Sequence, residues 1–171
     1  MIKKSLFLVP LVLMILTACS SNPKITGSVT IDRPTNPESL GKSFLATENE
    51  LCLQDGKPII REFATSWCPH CAWVKETFQQ AVKEYEGKII AYQWEVDTGN
   101  DLLSEELELT VPPDELALFK QFNPQQSIPT FIIGCKYYRI GNAYEVQDNK
   151  EAEAQEFKAI IEKVLGEVEQ Q

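Results

Sequence analysis

The sequence predicts an α/β fold in which a parallel strand–helix–strand half precedes an antiparallel hairpin–helix half. Three observations carry this. Residues 58–65 (PIIREFAT) and 88–97 read as strands on either side of a helical stretch that reaches about residue 86. A strand–helix–strand unit of these lengths implies parallel pairing. Later, 129–134 (PTFIIG) and 136–141 (KYYRIG) read as a hairpin, and 153–168 carries one apolar helical stripe.

Before the fold begins, the first 42 residues read differently. Lys3 and Lys4 precede an almost wholly apolar run, Leu6 to Leu16, which is too short to span a bilayer comfortably and reads as a secretory signal over 1–18. It ends in Leu16-Thr17-Ala18-Cys19, followed by Ser20, Ser21 and Asn22. That tetrapeptide resembles the lipobox of prokaryotic lipoproteins, which implies a lipidated Cys19, stable anchoring to a membrane and an extracytoplasmic location. A lipoprotein cysteine carries at least two acyl chains, whereas one chain binds only reversibly. Residues 19–42 then form a tether, rich in Ser, Thr, Asn and Pro and lacking a sustained apolar period. The folded domain is expected over 43–171.

Cleavage before Cys19 leaves 153 of the 171 residues. Lys3 and Lys4 depart, so 14 basic residues face 25 acidic ones and the net charge becomes −11. One domain of this size buries roughly two-thirds of its surface, enough for a true core. The acidity argues against nucleic acid as a partner and against electrostatic adhesion to anionic lipid.

Within the domain, the Asp55-Gly56 turn signal introduces the 58–65 strand. In the helix after it, Val74, Phe78, Ala81, Val82 and Tyr85 share one face, Pro69 sits at the tolerant first turn and Gly87 lies where a helix stops. The 88–97 strand puts Ile90, Tyr92, Trp94 and Val96 on one side and Ala91, Gln93, Glu95 and Asp97 on the other. Residues 98–113 are polar and read as an inserted loop with a helical turn around 102–107. A short helix follows over 114–122, with Leu116, Phe119 and Phe122 inward. In the last helix Phe157, Ile160, Ile161, Val164, Leu165 and Val168 form the buried stripe.

The chemistry resides in Cys68-Pro69-His70-Cys71. Thiol exchange needs a nucleophilic thiolate and a second thiol close enough to release the mixed disulfide, and two intervening residues at a helix start meet both demands. Cys68 lies beside unpaired N–H groups and the positive end of the helix dipole, which favour its thiolate; Cys71 sits one turn inward. Cys68 is the expected nucleophile and Cys71 the resolving thiol.

Trp67-Cys68-x-x-Cys71 after a strand, and Ile128-Pro129-Thr130 opening a later one, resemble the two signature sites of the thioredoxin superfamily, over about 43–166. The resemblance implies the thioredoxin fold: a central mixed sheet with helices on both faces. It also implies a cis Ile128–Pro129 bond, with Trp67, Pro69, Ile128 and Pro129 holding a substrate chain in strand-like pairing. Glu62 falls where the family places a buried acid that takes the proton of the resolving cysteine; otherwise it is a half-exposed strand residue. The Pro-His dipeptide resembles disulfide-forming oxidases of the DsbA type. There His70, the sole histidine, donates to the Cys68 thiolate and so stabilises the reduced protein, making the disulfide form a stronger oxidant. Those oxidases carry a large helical insertion, whereas only about 98–113 is inserted here.

Cys52 and Cys135 remain. Four cysteines allow three pairings, and spacing favours 68 with 71. In the family fold the strand ending near Cys68 runs antiparallel to the one opened by Pro129, which brings Cys135 toward Ile59, where the 55–56 turn returns Cys52. The resemblance thus implies a structural Cys52–Cys135 disulfide. Zinc sites supply ligands as two close pairs, and these two cysteines are isolated, so no metal and no cofactor are expected. The expected partners are thiols and disulfides of exported proteins, together with a membrane redox partner. The leading function is a thiol–disulfide oxidoreductase that forms or isomerises disulfides. The alternatives are a reductase, as in haem attachment, and a thioredoxin-like binding or chaperone module.

Overall fold

The computed structural model describes residues 39–40 and 43–170. The signal expected over 1–18, Cys19 and most of the 19–42 tether lie outside the described residues. Strand β1 (Ser39–Leu40) falls inside the stretch assigned to the tether and pairs antiparallel with β2 (Phe44–Ala46). Two residues are too few to show a strand period in sequence.

Next come β3 (Leu53–Gln54) and β4 (Lys57–Ala64), antiparallel around Asp55 and Gly56 with φ of +52° and +74°. Two such residues in succession make the primed turn that suits a tight hairpin. Helix α1 (Pro69–Lys83), β5 (Ile90–Glu95), α2 (Pro113–Phe122), β6 (Thr130–Ile133), β7 (Tyr137–Ile140) and α3 (Lys150–Val168) complete the order. The sheet runs β1-β2-β7-β6-β4-β3, with β5 also on β4. Strand β4 is central: parallel to β5, antiparallel to β6.

Alternation along β4 divides the core. Ile60 joins Phe131 and Ile133 against α1 and α3, where Val74, Phe78, Phe157, Ile161 and Val164 are buried. Ile59 and Phe63 join Trp94 and Ile132 against Phe119 and Phe122 of α2. Each fully buried phenylalanine contributes about 1.5–3 kcal/mol. The helices therefore occupy both faces, and the fold is the thioredoxin fold.

Two boundaries differ from expectation. No helical turn forms over 102–107. There Asp101 bridges to Trp94, and its carboxylate accepts the backbone N–H of Gln93 (2.8 Å) and Leu103 (3.1 Å), capturing groups a helix would use. Helix α3 begins at Lys150, before the apolar stripe, because the Asn149 side chain caps it by accepting from Ala152 N (3.0 Å).

Cys52 and Cys135 are disulfide-bonded, 83 positions apart. Cys135 lies in the β6–β7 turn, where Gly134 and Cys135 both have φ near +57° (58° and 56°) and Lys136 N–H returns to Ile133 O. A side chain at Gly134 would press on Leu51 and Val164 at 3.0 and 3.1 Å. Closing a loop of this length lowers denatured-chain entropy by about 4 kcal/mol in the chain-entropy account. Replacing both cysteines with alanine is expected to lower unfolding free energy by about that amount in a urea titration. A loss under about 1 kcal/mol would refute the role assigned to the loop closure.

Candidate active site

Strand β4 ends at Ala64, and four residues later Cys68 stands at the N-cap of α1 with an extended backbone (φ −79°, ψ 118°). Its thiol sulfur accepts the Cys71 backbone N–H at 3.2 Å. Pro69 follows at the first helical turn, where its missing N–H costs nothing. The sulfur thus occupies the place where an N-capping oxygen normally sits, at the positive end of the helix. Both cysteines are free and buried, and form with Ala64 a small apolar cluster against which Ile128 packs.

Pro129 comes to this place from the other half of the fold. The Ile128–Pro129 bond is cis, and Pro129 is buried, its carbonyl accepting Gly141 N–H at 2.8 Å. Thr130 pairs with Phe63 of β4 and Ile140 of β7, which fixes the register. Asn123, at the end of α2, was not singled out by sequence. Its buried amide donates to Ser127 O (2.7 Å) and Thr130 Oγ1 (2.8 Å), bracing the turn before the proline. Trp67 is 72% exposed and Pro69 is exposed beside the buried sulfur, so both are placed to meet an incoming chain.

Glu62 is wholly buried. Its Oε2 accepts from Gln93 Nε2 at 2.6 Å, while Oε1 has no partner among the described residues. Glu62 and both cysteines line one cavity of about 100 Å³, with Lys75 and Glu95 among its other walls. That is room for a few waters in a polar setting. Burial pushes the Glu62 carboxyl up to about 8, against the Gln93 hydrogen bond and the positive charges of Arg139 and Lys75. Burial also drives the Cys71 thiol well above its ordinary range, and its contact with Cys68 adds to this. Gln93 lies on the strand side it shares with Ala91, Glu95 and Asp97. It is only 1% exposed because that side faces α1.

His70 has a partner outside its motif. Its ring is 62% exposed, and Nδ1 lies 2.8 and 2.9 Å from the two carboxylate oxygens of Glu145. Asn142 Nδ2 donates to both His70 O and Glu145 Oε2, each at 2.9 Å. Slight burial would raise the Glu145 carboxyl, but hydrogen bonds from Asn142 and His70 hold it below the usual range. Neither Asn142 nor Glu145 lies in a motif, and their relation to His70 is purely tertiary.

The thioredoxin family model matches residues 44–130, half of the chain, and spans both the cysteine pair and the cis proline. The chain belongs to the thioredoxin family. Its activity class is thiol–disulfide oxidoreductase. Among solved structures, the thioredoxin-family chain is similar to the oxidoreductase NmDsbA1 from N. meningitidis, at 15% identity and a TM-score of 0.48. That alignment covers 73% of this chain and 93% of the other. Among curated proteins, none matches.

Glu62 makes thioredoxin-fold stability pH-dependent. Its carboxyl titrates near 4.5 when unfolded and about 8 when folded, so folding favours the protonated form. That contribution is complete below pH 4.5 and is lost as pH rises to about 8, on the order of 4–5 kcal/mol in all. Glu62→Gln is expected to exceed the parent in stability at pH 9 and to match it near pH 4.5, by chemical denaturation. Parallel curves for the two proteins would contradict the assignment.

Proposed function

We propose that the chain is a lipid-anchored, extracytoplasmic thioredoxin-family enzyme that forms or isomerises disulfides in exported proteins. In this reading Cys68 is the nucleophile and Cys71 the resolving thiol. The observation that carries it is the Cys68 sulfur at the head of α1, held by the Cys71 N–H in the one place where a helix favours negative charge.

With the pair oxidised, a substrate thiolate attacks Cys68 Sγ. The Cys68–Cys71 bond breaks, a mixed disulfide forms and Cys71 leaves as a thiolate. Because Cys71 is buried, that thiolate needs a proton at once. Glu62, largely protonated at neutral pH, supplies it across the shared cavity. A second substrate thiolate then attacks the substrate sulfur of the mixed disulfide and releases Cys68, so two electrons pass from substrate to enzyme. In the reverse direction Cys68 attacks a substrate disulfide, and Glu62, ionised, removes the Cys71 proton. Ile128 and Pro129 present an edge beside the pair along which an extended chain lies.

The placement outside the cytoplasm is supported by the Cys52–Cys135 disulfide, which persists in oxidising compartments, and by the signal and lipobox resemblance around Cys19. No helix among the described residues is long and apolar enough to cross a membrane. Anchoring in this reading rests on Cys19 alone, and Cys19→Ala is expected to move the protein from the membrane fraction to the soluble one. Unchanged membrane association in the variant would refute it.

A reductase is the second reading, and the Glu145 carboxylate beside His70 is what favours it. A potential between about −120 and −180 mV identifies an oxidase or isomerase, and one near −270 mV a reductant. Under either reading, Cys68→Ser should abolish insulin reduction and hirudin refolding, while Cys71→Ser should accumulate mixed disulfides visible on non-reducing gels. Full activity in Cys68→Ser would leave only a binding module.

A further inference from the structure

The 142–149 connection between β7 and α3 carries no motif, yet it is fastened at three separate points. Glu153 Oε2 accepts the backbone N–H of Ala143 (3.0 Å) and Tyr144 (2.9 Å). Asp148 Oδ1 accepts from Trp73 Nε1 of α1 at 2.8 Å. Asn142 Nδ2 donates to His70 O. With its chain held on both sides, Glu145 has its carboxylate set on the imidazole of His70 and steadied there by the same Asn142 amide.

We infer that Glu145 is a positioning residue that acts through His70 to hold the Cys68–Cys71 pair more reducing than its Cys-Pro-His-Cys sequence dictates. The inference rests on exchange at that pair, as proposed above. Two effects point the same way. A ring nitrogen engaged by a carboxylate is not free to donate to the Cys68 sulfur. Charge gives the second effect, and its sign does not depend on the protonation of His70. With glutamate present, the His70–Glu145 unit carries between −1 and 0. With glutamine it carries between 0 and +1. Removing the carboxylate therefore always makes the surroundings of Cys68 less negative, which favours the thiolate and hence the reduced protein. Because the histidine is 62% and the carboxylate 28% exposed, water screens the pair and the effect is modest.

The equilibrium that reads this is protein disulfide plus two glutathione thiols going to protein dithiol plus glutathione disulfide. Two electrons and two protons pass from glutathione to the Cys68–Cys71 pair. In the full chain at pH 7 and low salt, Glu145→Gln is expected to raise this equilibrium constant about three- to tenfold, which is about 14–30 mV. The gain should shrink in high salt, and in a His70→Ala background Glu145→Gln should give a smaller gain, because only the charge effect remains there. Thermal unfolding of each oxidised variant reports separately on folding, since a merely structural role for Glu145 lowers stability without moving the potential. An unchanged constant, or an equal gain in the His70→Ala background, would overturn the inference. The titration is an equilibrium measurement, so it stands even if Cys68→Ser shows that the pair turns nothing over. Conversely, turnover with an unmoved potential removes Glu145 from the account and leaves the exchange chemistry intact.

Discussion

The ion pair between Arg139 and Glu153, buried where α3 crosses β7, is the interaction on which the active-site flank depends. Arg139 has a partner at each guanidinium nitrogen. It binds Glu153, gives Nε to Gly141 O and Nη1 to Ser43 Oγ (both 3.1 Å), and lies 4.6–4.7 Å from the ring centres of Phe44, Phe131 and Phe157. Desolvated cation–π contacts are worth about 2 kcal/mol. Glu153 uses one oxygen for this pair and the other for two backbone N–H groups of the connection to α3. Breaking either partner strands a buried charge, at about 3–5 kcal/mol. The aromatic core is thereby coupled to the segment that holds His70. A change in the core can therefore reach the site through this carboxylate as well as through α1, whose Val74 and Phe78 lie in the same core.

Strand β4 applies the same logic twice with opposite results. Arg61 and Glu62 are neighbours, so the pleat sends them to opposite faces. Arg61, 1% exposed, meets Glu115 of α2 in a bidentate pair at 2.6 and 2.8 Å, and its Nη1 lies 3.7 Å from Cys135 Sγ. That face is satisfied and serves the fold, joining sheet, helix and disulfide. Glu62 has one amide donor and no salt bridge among the described residues. Its burial is left uncompensated, and this is what moves its carboxyl into the range where it exchanges protons near neutrality. A cation in contact would stabilise the fold and remove the proton carrier.

Those contrasts explain what sequence could and could not reveal. The 58–65 and 88–97 strands, α1 and the hairpin were legible because apolar residues recur at the strand or helix period. The Trp67–Cys71 and Ile128–Thr130 segments were legible because their chemistry is local. The Cys52–Cys135 bond followed from the fold the resemblance implied, and the structure contains it. Asn123, Gln93, Asn142 and Glu145 were not legible, since each acts on a partner that the chain reaches only after folding; Glu145 lies 75 positions from His70. The helical turn over 102–107 was misread for a related reason. Asp101 competes for its backbone groups, and no periodicity reports such competition. For His70 the expected acceptor, Cys68, was inferred from proximity in sequence, whereas Glu145 engages the ring in space.

Exposure around the site sets what can react there. Cys68 is only 4% exposed, so little of it is open to a partner. Around it stand large apolar side chains that the fold leaves in water, Trp67 at 72% and Val146 at 97%. Val146 sits in the short 3-10 turn that begins with Glu145, so it follows the segment that holds His70. Covering a side chain like Trp67 removes on the order of 150 Å² from water, a gross gain of about 4 kcal/mol at 25 cal/mol per Å². Such contact is indifferent to the partner's exact sequence. In the proposed exchange, selection at this site thus rests on the apolar surface a partner offers and on the potential of the pair, while the buried acid governs how fast the proton follows.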